Sequence, residues 1–382
     1  MEFDPAWLLL GLPIAFTLGW IASRLDLRQL RIENRQAPKA YFRGLNFLLN
    51  EQQDQAIDAF IEAVQNDPDT SELHFALGNL FRRRGEYDRA VRVHEHLIAR
   101  GDLTQPERDR AQHALALDFL KAGLLDRAEV ALRKLEGTSF AEEARLALLA
   151  IYERSRDWAQ ASDIAAKLES SSHGSFGARQ AHYLCEQAGA STAAAATDQS
   201  LALLARAENI APASARPLIE QAKLQSQLGR DADAFASLMR LIAQAPQALP
   251  LAAGLLARIA RRCGQEQAAA AQLKASYEAA PSIDVLDAII DLDQAPAESA
   301  RQWYIRHLER QPSLVAATKW LDGEPLASTD SHALVQRALE RASKPLLRYR
   351  CAACGFEASQ HFWHCPGCQA WDSYPPRRIE EL

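Results

Sequence analysis

Glycine and proline are scarce in this sequence, 17 of each among 382 residues. Long stretches rich in Ala, Leu, Glu, Gln and Arg fill the space between them, a composition that favours helices. A positive excess is missing too: 43 Lys and Arg stand against 49 Asp and Glu, for a net charge of −6. Without a net positive field, nucleic acid is not an expected partner. Signatures of catalysis are absent. There is no Gly-x-x-x-x-Gly-Lys-Ser/Thr phosphate loop, no Gly-x-Ser-x-Gly elbow and no His-Glu-x-x-His helix. The spacing of His74, His94, His96, His113 and His182 matches no metal motif, so they are read as packing or groove residues. The pairs Glu142-Glu143 and Glu380-Glu381 stand too isolated for acid/base chemistry. The expectation is a protein that is not an enzyme.

Cysteine is also rare, and four of the six fall within 18 residues: Cys351, Cys354, Cys365 and Cys368. Two Cys-x-x-Cys turns this close can set four sulfurs at the corners of one tetrahedron, the ligand set of one structural zinc or of an iron–thiolate site. Spacing does not choose between iron and zinc, and a disulfide pair is the competing reading. Gly355 supplies a permissive backbone to the first turn and Pro366 stiffens the second. Cys185 and Cys263 lie far apart in helical contexts and are expected to be small buried hydrophobes. A thiol-rich metal site suits a reducing compartment.

Residues 1–23 read as a membrane anchor. Ala6 to Ala22 is seventeen residues without a charge, and at about 1.5 Å per residue it nearly crosses a bilayer core of about 30 Å. Phe3, Trp7 and Trp20 sit near its ends, where interfacial aromatics belong. A cleaved signal peptide is the rival, but Glu2 and Asp4 replace its basic start and no small-x-small cleavage site follows. The segment 24–39 carries Arg24, Arg28, Arg31, Arg35 and Lys39 and is expected to form a basic juxtamembrane helix. By the positive-inside rule the rest of the chain then faces the cytoplasm.

Residues 40–281 carry a period near 34. Ala56, Ala90, Ala128, Ala161 and Ala234 mark one position, with Phe60, His94, Leu132, Ala165 and Leu238 four residues on. Gly44, Gly78 and Ala116 precede the aromatics Phe47, Phe81 and Phe119. Gly85, Gly123, Gly229 and Gly264 mark turns, and Pro68, Pro212, Pro246 and Pro281 end units. Small residues let two helices approach, the aromatic fills the gap and proline stops the second helix. The pattern resembles the tetratricopeptide repeat, with about seven units. The fourth unit lacks its turn glycine, and the fifth is irregular, with GASTAAAATD at 189–198 read as an extended turn or a frayed helix start. Residues 282–345 are expected to cap the array with helices over Ile283–Leu292, Ala297–Arg310 and His332–Ala342. Arg82-Arg83-Arg84 and Arg261-Arg262 are read as solvated helix ends, with partner binding as the alternative. The fold class is therefore all-α: a tetratricopeptide-repeat solenoid with an N-terminal transmembrane helix and a small metal knuckle module over residues 346–382.

In the tail, Tyr349, Gly355 after Cys354, and the Cys365-Pro-Gly-Cys368 knuckle resemble rubredoxin, with a much shorter loop between the knuckles. Phe356, Phe362, Trp363, Trp371 and Tyr374 are expected to pack on the last helices of the solenoid; shielding the metal is the alternative. His361 and His364 are not expected to be ligands, though either could donate a hydrogen bond near the site. The order of anchor, basic helix, repeats and knuckles resembles the lipopolysaccharide assembly protein B family, most specifically in LALDFLKAGLLDRAE at 115–129 and in the tail from Tyr349 to Pro375.

That resemblance implies a single-pass inner-membrane protein whose C-terminal domain faces the cytoplasm and which regulates lipopolysaccharide synthesis. It implies work with the FtsH protease to promote degradation of the LpxC deacetylase, and restraint by a membrane regulator of the LapC/YejM type. A scaffold for lipopolysaccharide synthesis and transport proteins is the alternative, and a tethered rubredoxin-type electron carrier is a third. Whether the chain forms a homodimer stays open.

Overall fold

The structure is a computed structural model that describes residues 15–20, 39–67, 69–169, 174–293, 297–322 and 330–382. The apolar stretch at 6–22 and the basic segment after it lie outside the described residues, apart from residues 15–20, which are helical, and Lys39. No helix among the described residues is long and apolar enough to cross a membrane. The chain divides into two compact units, Met1–Ile151 and Tyr152–Leu382.

Among the described residues the first unit holds three helix pairs: α1 (39–49) with α2 (Gln53–Asn66), α3 (Ser71–Arg84) with α4 (Tyr87–Ala99), and α5 (Gln105–Lys121) with α6 (Leu125–Arg133). One rule of sequence closes each pair. Gly44 and Phe60, Gly78 and His94, and Ala116 and Leu132 are each sixteen residues apart, a small residue in the first helix and a larger one in the second. The fit leaves no room for more. A Cβ on Gly44 would lie 2.8 Å from the Phe60 ring, and one on Gly78 only 2.5 Å from His94 Nε2. His94 therefore takes the place of a hydrophobe, and its polarity is satisfied at one nitrogen by Asp118, whose carboxylate accepts from Nδ1 at 2.5 Å. Arg82 donates to the other Asp118 oxygen at 2.9 Å and to the Ala114 carbonyl at 3.0 Å. The expectation of a solvated Arg82 thus fails, because a buried carboxylate needs more than one partner.

The division falls within α7 (Ala141–Ser155), and α8 (Trp158–Leu168) belongs to the second unit. The second unit continues with α9 (Gly177–Ala193) and α10 (Thr197–Ile210), α11 (Ala215–Gln227) and α12 (Asp231–Gln244), and α13 (Leu249–Cys263) and α14 (Glu266–Ala279). The sixteen-residue rule recurs in Ala188 and Leu204, Ala222 and Leu238, and Ala257 and Leu273, all of them buried. A left-handed residue sits in the turn between the two helices of each repeat: Glu51, Gly85, Gly123, Arg156, Ala195, Gly229 and Gly264. Only four are glycines. Arg156 at φ 58° and Ala195 at φ 60° adopt the same conformation despite a steric cost of about 1–2 kcal/mol, which hid the turn from a search for glycine. The 189–198 tract is accordingly no extended turn: α9 runs through Gly189 to Ala193, and the turn is residues 194–196.

Four helices complete the second unit: α15 (Ile283–Asp293), α16 (Ala297–Arg310), α17 (Leu314–Asp322) and α18 (Asp330–Ser343). The sequence reading missed α17. One continuous core joins α11 to α17, centred on residues such as Leu238, Leu256, Leu273, Ile289 and Val315. Cys185 is buried in a smaller core with Leu184 and Leu204, Cys263 is partly buried, and both are free thiols. Two short strands, β1 (Tyr349–Arg350) and β2 (Glu357–Ala358), pair antiparallel at the start of the tail.

Candidate metal centre

β1 leads into Cys351, and the first knuckle is closed by Cys351 N–H donating to the Phe356 carbonyl and Gly355 N–H donating to the Cys351 carbonyl, both at 2.9 Å. The second knuckle repeats the arrangement: Cys365 N–H donates to Ala370 and Gln369 N–H donates to Cys365, again at 2.9 Å. The residue after each second cysteine is left-handed, Gly355 at φ 78° and Gln369 at φ 60°. Local geometry thus builds two related loops, and the chain brings them face to face.

All four sulfurs lie within 4.8 Å of one another. Cys351 and Cys368 Sγ are 3.8 Å apart, and Cys354 and Cys365 Sγ 3.7 Å. A tetrahedral ion with metal–sulfur bonds of about 2.3 Å sets its sulfurs about 3.8 Å apart, so the donor set fits one such ion. None of the six cysteines is in a disulfide. Two sulfurs face inward, on Cys351 and Cys365, and two lie on exposed residues, Cys354 and Cys368. Burial raises the Cys351 thiol, but the Ser373 hydroxyl and the N–H groups of Cys354 and Ala353 outweigh it and bring the group down to about 6. At Cys365 burial is likewise outweighed, by the N–H groups of Cys368 and Gly367. Thiolates are the metal-binding form, so the backbone prepares both inner sulfurs to ligate.

Neither histidine of the tail joins the four sulfurs. His361 Nε2 donates to the Tyr374 carbonyl at 3.1 Å, and the His364 ring stacks on Trp371 with centroids 4.3 Å apart. The side chain that reaches a sulfur is Ser373, whose Oγ is 3.3 Å from Cys351 Sγ. Nothing in the spacing of Ser373 marks it beforehand.

The module docks only in part where the sequence suggested. Trp371 does not meet the last helices. It lies between His182 of α9, stacked at 4.8 Å, and its own neighbour His364. The Trp158 ring of α8 and the Tyr183 ring of α9 meet it edge-on at 6.0 and 5.7 Å. Its indole N–H donates to Glu153 at 3.0 Å, and the Tyr183 hydroxyl donates to the same carboxylate oxygen. Of the other aromatics, Trp363 packs on the core that runs to α17, Phe362 and Tyr374 line the inner side of the knuckles, and Phe356 stays 43% exposed.

The last residues add a second attachment. Glu381 accepts from the Ile283 N–H at 2.6 Å, at the start of α15. Glu380 accepts from the Val315 N–H at 3.1 Å and from the Ser313 hydroxyl at 2.7 Å, at the start of α17. Helix N-termini carry unpaired N–H groups, and carboxylates satisfy both the donors and the dipole. Arg378 forks onto Asp284 at 2.8 and 2.9 Å and lies over the Tyr349 ring at 4.2 Å. The acidic pair Glu380-Glu381, featureless in sequence, caps two helices at once.

Fold and site together define a tetratricopeptide protein bearing a rubredoxin-like tetracysteine module. A family described as Rubredoxin metal binding domain matches residues 349–375. The whole chain belongs to the lipopolysaccharide assembly protein B family. It is 32% identical to lipopolysaccharide assembly protein B of Escherichia coli strain K12, over 97% of this chain and 98% of that one. It is 28% identical to the Haemophilus influenzae protein of the same name, with 98% of each chain covered. Among solved structures, a tetratricopeptide repeat protein from Parabacteroides merdae matches with a TM-score of 0.33 at 15% identity, covering 67% of this chain and 98% of that chain.

Proposed function

We propose that this protein is a membrane-anchored cytoplasmic adaptor that regulates lipopolysaccharide biosynthesis by promoting FtsH-dependent proteolysis of the LpxC deacetylase. The observation that carries this reading is the end-to-end likeness to proteins named for lipopolysaccharide assembly, 32% identity across 97% of the chain. Residues 6–22 tether the chain to the inner membrane, the repeats offer surfaces for the protease and its substrate, and a regulator of the LapC/YejM type acts on the complex from within the membrane.

In this reading Cys351, Cys354, Cys365 and Cys368 hold one metal ion, zinc or iron. When bound, the ion cross-links the two knuckles and so stabilises a tail of some 34 residues, 349–382, too short to build a core alone. The chain's own residues do the rest. Trp371 and Asp372 fix the module to α8 and α9, and Arg378, Glu380 and Glu381 fix it to α15 and α17. The product is a rigid recognition surface and no chemical step.

The test is LpxC turnover in cells that carry only a chain lacking residues 1–23, with FtsH present. The expected result is a lengthened LpxC half-life and raised lipopolysaccharide. Unchanged turnover, with lipopolysaccharide transport proteins and no protease co-purifying with the full chain, would replace the adaptor by a scaffold.

A further inference from the structure

An open cleft of about 1100 Å³ lies in the second unit between α11, α13 and α15, with Tyr349 and Arg378 of the metal module among its lining residues. Its lining is mostly polar, with the partly exposed Leu251 and Leu255 of α13 as its apolar side chains and Ile259 and Ala288 buried behind them. Gly254 lies beside them, and a side chain there would meet nothing within 4 Å.

The charges of the cleft are unequally committed. Its three carboxylates are all engaged: Asp284 by Arg378 at 2.8 Å, Asp287 by Lys319, and Asp291 by Arg261 at 2.5 Å. The basic side is open. Exposed Arg258 has no ion pair or hydrogen bond among the described residues. Arg262, its side chain 59% exposed, donates to the Ser226 hydroxyl at 3.2 Å and comes no nearer than 3.8 Å to Asp231, and Lys223 makes only an exposed contact with Glu220 at 3.4 Å. Such exposed contacts are worth little and are readily exchanged for a ligand's. To a ligand the cleft therefore presents spare positive charge beside two apolar side chains, Leu251 and Leu255. Arg258 and Arg262 stand one helical turn apart on α13, with Lys223 across from them on α11. Their placement on two facing helices suits carboxylates spaced along a chain.

We infer that this cleft binds an extended acidic protein segment, its carboxylates on Arg258, Arg262 and Lys223 and an apolar side chain over Gly254. Because Tyr349 and Arg378 form part of its wall, the metal module shapes the recognition surface and is not only attached beside it. The inference deepens the adaptor reading, which needs such a surface, but its test does not involve LpxC turnover.

The experiment uses the full-length, metal-loaded protein and fluorescent, C-terminally amidated peptides of about twelve residues. One repeats Glu-Leu-Ser, and two counterparts carry Gln or Lys in place of Glu. The Glu peptide is expected to bind at least about tenfold more tightly than either counterpart, and more weakly as salt is raised. Arg258→Glu and Gly254→Trp should each cost about tenfold or more. Metal content and helicity should stay unchanged, because one residue is exposed and the other has open space above it. Equal binding of the three peptides would overturn the inference. So would binding insensitive to both substitutions, or exclusive binding of a phosphorylated glycolipid in micelles. Specific peptide binding would stand even if removal of residues 1–23 left LpxC turnover unchanged, so the cleft and the adaptor reading fail separately.

Discussion

His182 Nε2 donates to Asp372 at 2.8 Å across 190 residues of sequence. The histidine is fully buried in α9 and its other ring nitrogen has no partner among the described residues, while Asp372 belongs to the tail. Asp372 follows Trp371, so one dipeptide carries both the ring that stacks on His182 and the carboxylate that accepts from it. The metal module is thereby held to one place on the repeats.

Trp371→Ala is expected to release this dock. The loss of a packed indole and its bond to Glu153 should cost about 3 kcal/mol. Hydrogen exchange over residues 350–375 should speed up while the four cysteines still bind metal. Exchange no faster than in the parent protein would show that the module is held by other contacts.

Replacing Cys354 and Cys365 with Ser should remove the metal, because thiolates dominate affinity at such a site. Metal analysis of the purified chain should fall from one ion to none, and exchange at the knuckles should rise. A zinc-filled protein that keeps full activity would separately exclude an electron-carrying role. Full activity of the metal-free variant would make the module dispensable.

Glu380→Ala and Glu381→Ala should each cost about 1 kcal/mol, the worth of a helix cap. Amides at the starts of α15 and α17 should exchange faster, respectively for Glu381 and Glu380. Burial holds the Glu381 carboxyl above its ordinary 4.5. A raised acid favours the protonated fold, so its contribution to stability is present below 4.5 and is lost as pH rises through the folded value. Glu381→Gln should therefore be tolerated at neutral pH far better than Glu381→Ala, as thermal melts of the two variants will show.

Burial lowers the His361 imidazole below its ordinary 6.5. A depressed base is neutral in the fold, so its contribution is present above 6.5 and is lost as pH falls through the folded value. Melting temperature should drop between about pH 7.5 and about pH 5.5. His361→Gln, which keeps a donor for the Tyr374 carbonyl but does not titrate, should flatten part of that slope. His74, His113 and His307 are lowered by burial in the same way and should carry some of the rest. An identical slope in the variant would mean that His361 is protonated without cost.

Gly78→Ala should destabilise the α3–α4 pair by about 1–3 kcal/mol through overpacking, although alanine is the better helix former. His94 cannot yield, because Asp118 pins it and it is fully buried. Adding His94→Leu recreates the pairing seen at Ala116 and Leu132 and should recover part of the loss. Denaturant melts of the single and double variants measure the coupling, and strict additivity would show that the two residues do not press on each other.

Much of this architecture is written in short-range pattern. A period near 34, a small residue answered by a larger one sixteen positions on, and two Cys-x-x-Cys turns are local enough to read from the sequence alone. Helix pairing and knuckle formation depend on neighbours a few turns away, and the residues carry that information themselves. The docking place of the module has no such signature. Many repeat helices offer similar faces, and the choice of α8, α9 and the end of α7 rests on Glu153, Trp158, His182 and Tyr183, which meet Trp371 only after the chain has folded. The capping of α15 and α17 by Glu380 and Glu381 is equally invisible, because an acidic pair at a chain end looks solvated until a helix N-terminus is placed beside it. Sequence determined the repeats and the four sulfurs. Tertiary structure decided where they join, since only packing distinguishes one helix face from its near copies.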